Sequence, residues 1–307
     1  MFTKDSQNFT PGYIKLHETG ELNSRVEALQ ALLKECRVCP RHCGVNRLEG
    51  ELGVCQAGAE LVVSSAFAHF GEEPPLVGRY GSGTIFLTHC NLRCIFCQNY
   101  DISHGGLGHI VTPEELARLM MYLQNSRCHN INFVTPTHYT PQIIAALPTA
   151  ITMGLRLPIV YNCGGYESLE VLRLLDGIID IYMPDAKYAD SQWAQRYSNA
   201  PDYFEVMTQA LKEMHRQVGD LRLDEQGIAY RGLLIRHLVM PNGVAGTREV
   251  VKFIAQELSR DSYVNLMDQY RPCYQAHRYP EINRRITYSE YAEAVNLAQE
   301  AGLYRGF

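Results

Sequence analysis

A chain of 307 residues, 46% hydrophobic and 20% charged, has enough apolar side chain to bury a large core and the composition of an ordinary globular protein. Its formal net charge of −5 gives no electrostatic footing for a nucleic-acid binder, and Arg37, Arg41, His42 and Arg47 read as a local, solvated basic cluster. The opening residues lack an apolar signal core and no run approaches the roughly 18 apolar residues of a membrane span, so a cytoplasmic protein without membrane attachment is expected.

In chain order, the first predicted element is an amphipathic helix from Leu22 to Lys34, with Val26, Leu29, Leu32 and Leu33 on one face. Next come Cys36, Cys39, Cys43 and Cys55, four thiols within twenty residues on turn-forming sequence too poor in apolar residues to fold by burial alone. A second metal site explains them, and structural zinc and an auxiliary iron–sulfur cluster both fit the spacing; four free cysteines are the alternative. Leu61 to Phe67 reads as a strand. The Pro- and Gly-rich stretch from His69 to Gly83 reads as a connection, with Glu72 and Glu73 either reaching the active site or, as adjacent carboxylates in a turn more often are, solvated. A boundary is therefore expected between residues 1–82 and 83–307.

Thr84 to Thr88 is short, β-branched and aromatic, which predicts a buried strand, and Cys90, Cys94 and Cys97 lie on the loop that leaves it. Soft sulfur ligands select zinc or iron–sulfur clusters. Three cysteines leave one position of a cubane open, whereas a structural zinc would need a fourth ligand such as His89 or His104. The remaining cysteines, Cys128, Cys163 and Cys273, read as small core residues.

Beyond the loop, Thr112 and Glu115 form a capping box that opens a helix to about Asn125. Strands are predicted at Ile131–Thr135, Pro158–Asn162, Ile178–Met183, Leu233–Val239 and Tyr263–Met267, and a helix opens at Thr140-Pro141. Asp202 and Glu205 are expected to cap a helix whose stripe Phe204, Met207, Leu211, Met214 and Val218 is core, and Thr287 and Glu290 to cap a last helix to about Ala301. Six strands alternating with helices predict an α/β protein with a parallel sheet, either doubly wound or an open barrel.

In such folds ligands sit at the C-terminal strand ends. The residues there are Thr137, His138 and Thr140 after the second strand, Asn162 to Gly165 after the third, and Asp185 and Lys187 after the fourth. Arg236 and His237 lie on the fifth strand, and Gln269 and Tyr270 end the sixth. His237, Gln269 and Tyr270 are the candidates for a catalytic role.

The C-x3-C-x2-C loop after a first strand, with Phe96 before its last cysteine, resembles the signature of the radical S-adenosylmethionine (SAM) enzymes. The resemblance implies a partial parallel (β/α)6 barrel and a [4Fe-4S] cluster on Cys90, Cys94 and Cys97. Its open iron would chelate SAM and deliver one electron, giving a 5′-deoxyadenosyl radical that takes hydrogen from a substrate. The family's Gly-Gly-Glu segment after the second strand is absent, which leaves the SAM amino contact to Thr137, His138 or Thr140. The Asp185-Ala186-Lys187 segment is similar to the motif by which activating enzymes of glycyl radical enzymes contact SAM. Together with the four-cysteine segment, EEPPLVG, NINFVTPTHY, RHLVMPN and NLMDQYRP, it makes the chain resemble the uncharacterised iron–sulfur proteins related to pyruvate formate-lyase-activating enzyme. The resemblance further implies an unidentified substrate, protein or small molecule, and an electron donor such as flavodoxin or ferredoxin, with Phe96, Thr137, His138, Asn162, Asp185 and Lys187 around SAM. A non-catalytic redox or metal sensor is the competing reading.

Overall fold

The structure, a computed structural model, describes residues 9–307. Nine strands form one sheet: β1 Leu61–His69, β2 Ser82–Leu87, β3 His109–Val111, β4 Ile131–Val134, β5 Ile159–Cys163, β6 Ile181–Pro184, β7 Arg222–Leu223, β8 Ala229–Leu238 and β9 Tyr263–Met267. β2, β4, β5, β6, β8 and β9 pair parallel in that order. Every residue of β5 and β6 is buried, as both faces of a parallel sheet wrapped by helices should be. Among the described residues β9 pairs only with β8, and the free edge of β2 is taken by antiparallel β1, so the six parallel strands make an open, partial barrel.

The helices between strands follow their sequence signals. Thr112 and Glu115 cap Pro113–Asn125 reciprocally, and that helix buries Leu116, Met120 and Leu123 on its inner face. Helix Tyr203–Val218 buries Met207, Leu211, Met214 and Val218, while Phe204 is half-buried. Asp202 does not cap it. Its carboxylate is engaged by the Tyr166 hydroxyl at 2.7 Å, and a side chain held sideways cannot reach the helix N–H groups.

Two differences concern the N-terminal third. The single helix expected there is two, Gly12–Glu18 and Glu21–Ala31, separated at Gly20 by a left-handed φ of 81°. They are pinned to the barrel by Tyr13 Oη donating to Leu157 O at 2.7 Å and by Gly12 N donating to the buried Asp180 carboxylate at 3.1 Å. The boundary expected after residue 82 falls inside β2, which begins at Ser82 and pairs with β1 in the same sheet. Among the described residues no helix is long and apolar enough to cross a membrane.

Candidate active site at the strand ends

β2 ends at Leu87, and the chain then turns through His89 and Arg93, non-glycine residues with φ of 63° and 51°, to wrap Cys90, Cys94 and Cys97 over the end of the barrel. Each sulfur is met by a donor. Leu92 N–H points at Cys90 Sγ at 3.4 Å, Ser198 Oγ at Cys94 Sγ at 2.9 Å and Ser103 Oγ at Cys97 Sγ at 3.2 Å. Burial, with the neighbouring Cys94, pushes the Cys90 thiol up to about 12. Burial also raises Cys97, against the pull of Ser103 and, more weakly, of the Lys187 ammonium. Thiols this protonated become ligands when a metal displaces their protons.

The three cysteines line a cavity whose other walls are Phe96, Asn162, Cys163, Asp185, Lys187, Arg236, Gln269 and Tyr270, with Leu87, Leu92, Val134, Leu238 and Met267 between them. Asp185 is the hub of its polar wall. Lys187 Nζ lies 2.5 Å from Asp185 Oδ2 and Arg236 Nε lies 2.8 Å from Oδ1. Burial alone would raise the Asp185 pKa, but Arg236 and then Lys187 outweigh it and hold the carboxyl below its ordinary value. Burial would lower Lys187, and Asp185 outweighs it in turn, so the ammonium stays charged beside the cysteine loop.

Arg236 continues the network inward, donating to Asn162 Oδ1 at 2.7 Å and approaching Glu72 Oε1 at 3.4 Å. Glu72 also accepts from Asn132 and Asn162, and Glu73 from Asn265. The two glutamates are therefore not a solvated turn. They plug the barrel from below, where polar inward-facing residues of β4, β5, β8 and β9 need acceptors.

The profile of the Radical SAM superfamily matches residues 84–221. An uncharacterised protein of Methanocaldococcus jannaschii is 34% identical over 307 residues, covering 97% of this chain and 84% of that one. The chain belongs to the radical SAM superfamily. A second uncharacterised protein of the same organism is 29% identical over 160 residues, 46% of each chain. Membership implies an enzyme that uses a [4Fe-4S] cluster and SAM. The residues fit both: three hydrogen-bonded thiols and a charged Asp–Lys–Arg group face one cavity.

Of the residues that sequence reasoning places around SAM, Phe96, Asn162, Asp185 and Lys187 line this radical SAM cavity with the cysteines, and so do Gln269 and Tyr270. Gln269 is exposed at the rim. Tyr270 presents its ring, packed on Phe96 at 6.0 Å, but its hydroxyl is committed to Ile282 O at 2.8 Å. Thr137, His138 and His237 lie outside the cavity walls. Thr137 donates to the buried Glu167 carboxylate at 2.7 Å, and His138 Nε2 donates to Thr88 O at 2.8 Å, with burial pushing its imidazole down to about 3. His237, lowered by burial to about 4, donates from Nδ1 to Ala186 O at 2.6 Å; it steadies the Asp185–Lys187 segment from behind.

Other residues escape a sequence reading. Thr135 lines the cavity wall, with a φ of 61° that a β-branched residue rarely adopts. The Tyr203 hydroxyl receives Lys187 N–H at 3.0 Å and lies 2.8 Å from Gly164 O and 2.7 Å from Asp185 O, so one side chain joins two strand ends. Gly165, at φ 76°, admits protein backbone and not a ligand: a Cβ there would stand 2.3 Å from Asp185 O.

Cys36, Cys39 and Cys55 are buried and Cys43 is half-exposed. Cys36 N–H bonds Val45 O at 2.9 Å and Gly44 N–H bonds Cys36 O at 3.1 Å, folding the segment into a knuckle, and Val54 N–H meets Cys43 Sγ at 3.4 Å. Burial, with added repulsion from Cys55, Cys36 and Cys43, pushes the Cys39 thiol up, so the four act on one another. Among the described residues no three His, Cys, Asp or Glu side chains close on one point as a single ion would require. The basic cluster is not all solvated surface either. Arg47 is buried, and Arg41 donates to Asn91 O at 2.9 Å and Ser198 O at 2.7 Å, gripping the radical SAM cysteine loop from outside.

Proposed function

We propose that this radical SAM protein holds a [4Fe-4S] cluster on Cys90, Cys94 and Cys97, reductively cleaves SAM there, and uses the 5′-deoxyadenosyl radical to abstract hydrogen from a substrate. The observation that carries the reading is that the three thiols and the Asp185–Lys187 pair face the same cavity. When bound, the cluster and SAM supply a one-electron cleavage of the sulfonium and the resulting radical.

The chain supplies position, charge balance and dryness. Asp185 holds Lys187 extended, and the ammonium balances negative charge gathered on the cysteine loop while offering donors to an anionic or ribose group. Phe96, wedged edge-on among Tyr188, Tyr197 and Tyr270, keeps the last turn of the loop rigid. Leu87, Leu92, Val134, Leu238 and Met267 exclude water from a site where a radical would otherwise be quenched. Gln98, Asn99 and Gln269 stand where substrate would enter. The likeness of the Asp185-Ala186-Lys187 segment to activating enzymes supports a protein or peptide substrate, with a flavodoxin or ferredoxin as electron donor.

The test is anaerobic reconstitution followed by addition of SAM and dithionite. Wild-type protein is expected to bind SAM and release 5′-deoxyadenosine, and Cys94→Ala to release none. A chain with a confirmed cluster that neither binds nor cleaves SAM would overturn the proposal.

A further inference from the structure

We propose that Cys36, Cys39, Cys43 and Cys55 bind a second iron–sulfur cluster, an anionic centre whose counter-ion is the buried Arg47. Arg47 is 1% exposed. Its guanidinium donates to Gly58 O at 3.1 and 2.5 Å and to His138 O at 2.7 Å, all neutral acceptors, and no carboxylate pairs with it among the described residues. A buried cation that meets only neutral acceptors and the Tyr139 ring, 6.0 Å away, is stabilised by an anion placed beside it. The Gly58 carbonyl that the guanidinium holds lies three residues past Cys55, which seats the cation on the segment that carries that thiol.

Four thiolates outweigh the positive charge of an iron–sulfur core or a zinc ion, so the loaded site is an anion beside Arg47, and the charge is matched. The cysteines are prepared for this. Three are buried, and Val54 N–H is directed at the sulfur of the fourth, Cys43, as main-chain donors are around ligating thiolates. Size then separates the two metals. Zinc draws four sulfurs around one point, whereas a cubane carries each thiolate on a separate iron and keeps them apart by its own width. Among the described residues the thiols do not converge on one point, as four zinc ligands would.

The location couples the centres mechanically. Arg47 holds His138 O, and the His138 ring holds Thr88 O, two residues before Cys90.

The experiment is iron, acid-labile sulfide and zinc analysis of the full chain, purified and reconstituted anaerobically with iron and sulfide. Wild type is expected to hold about eight irons per chain, and the triple variant Cys90→Ser, Cys94→Ser, Cys97→Ser to keep about four. Cys36→Ser with Cys39→Ser should also leave about four, on the barrel. Because that variant removes buried groups and can misfold, the triple variant is decisive: loss of all its iron overturns the proposal, as does one zinc per chain that iron and sulfide do not replace. Arg47→Gln should shift the midpoint potential of the cluster kept by the triple variant to more negative values, because the cation favours the reduced form. An unmoved potential would remove Arg47 as counter-ion.

Discussion

Arg236 and Asp185 meet Nε to Oδ1 at 2.8 Å inside the barrel mouth, and Lys187 takes the other oxygen of the same carboxylate. With Glu72 also on Arg236, two cations face two carboxylates, so the group is close to charge balance at the cavity that the three cysteines share. The two cations have different duties. Arg236 is tied also to Asn162 and Glu72 and belongs to the scaffold, whereas Lys187 has donors left over for a ligand.

Lys187→Ala is accordingly expected to weaken SAM binding by about tenfold or more, with iron content and cluster absorption near wild type. Arg236→Met should lower stability by about 3–5 kcal/mol by stranding Asp185 and Glu72. Calorimetric titration with SAM and thermal melts separate the two. Equal SAM affinity in Lys187→Ala and wild type would make the pair structural only.

Tyr203→Phe removes one hydroxyl and leaves Lys187 N–H and the Asp185 and Gly164 carbonyls without their shared partner. A cost of about 1–3 kcal/mol is expected, together with weaker SAM binding at unchanged iron content, because both strand-end segments loosen while the cysteine loop does not. Melting curves and SAM titrations of the loaded protein check both halves.

Gly165→Ala combines a left-handed φ with a Cβ pressed against Asp185 O. The Asp185–Lys187 segment must move to admit it. SAM affinity should fall at least as far as in Lys187→Ala, whereas Gly154→Ala, where φ is also positive but space is open, should leave SAM affinity unchanged.

Two buried carboxyls set a pH slope. Burial, opposed by the N–H groups of Ile159 and Gly12, raises Asp180 from 3.8 to about 7, and burial, opposed by Thr137 and Tyr161, raises Glu167 from 4.5 to about 7. The folded chain holds these protons more tightly than the unfolded chain. The stability they confer is therefore complete below the unfolded values and is lost as pH rises through about 7. The melting temperature should fall between about pH 5 and about pH 8, and fall less in Glu167→Gln.

Much of the scaffold was legible because it rests on local rules. The capping boxes at Thr112 and Thr287 depend on side chains three residues apart, and Tyr263–Met267 is apolar enough to be a buried strand whatever surrounds it. The cysteine loop carried its own spacing. The illegible features depend on contacts between distant segments. Glu72 and Glu73 look like a solvated pair until asparagines from β4, β5 and β9 close over them. Asp202 looks like a cap until Tyr166 claims it, Tyr203 looks like core, and Arg47 looks like surface. His237 stands at a strand end and still faces away from the cavity, because strand side chains alternate between faces and its neighbour Arg236 takes the inner one.

The strand β1 bears on how far this chain can be shortened. A version starting at residue 83 would keep all three barrel cysteines and nearly all of the parallel sheet. It would also expose the backbone edge of β2 that β1 now pairs with, an invitation to intermolecular strand addition. The glutamates under Arg236 would be gone, as would the Arg47 latch on His138. The segment that reads as an appendage is the floor and side wall of the catalytic half, so neither part is expected to be an independent unit.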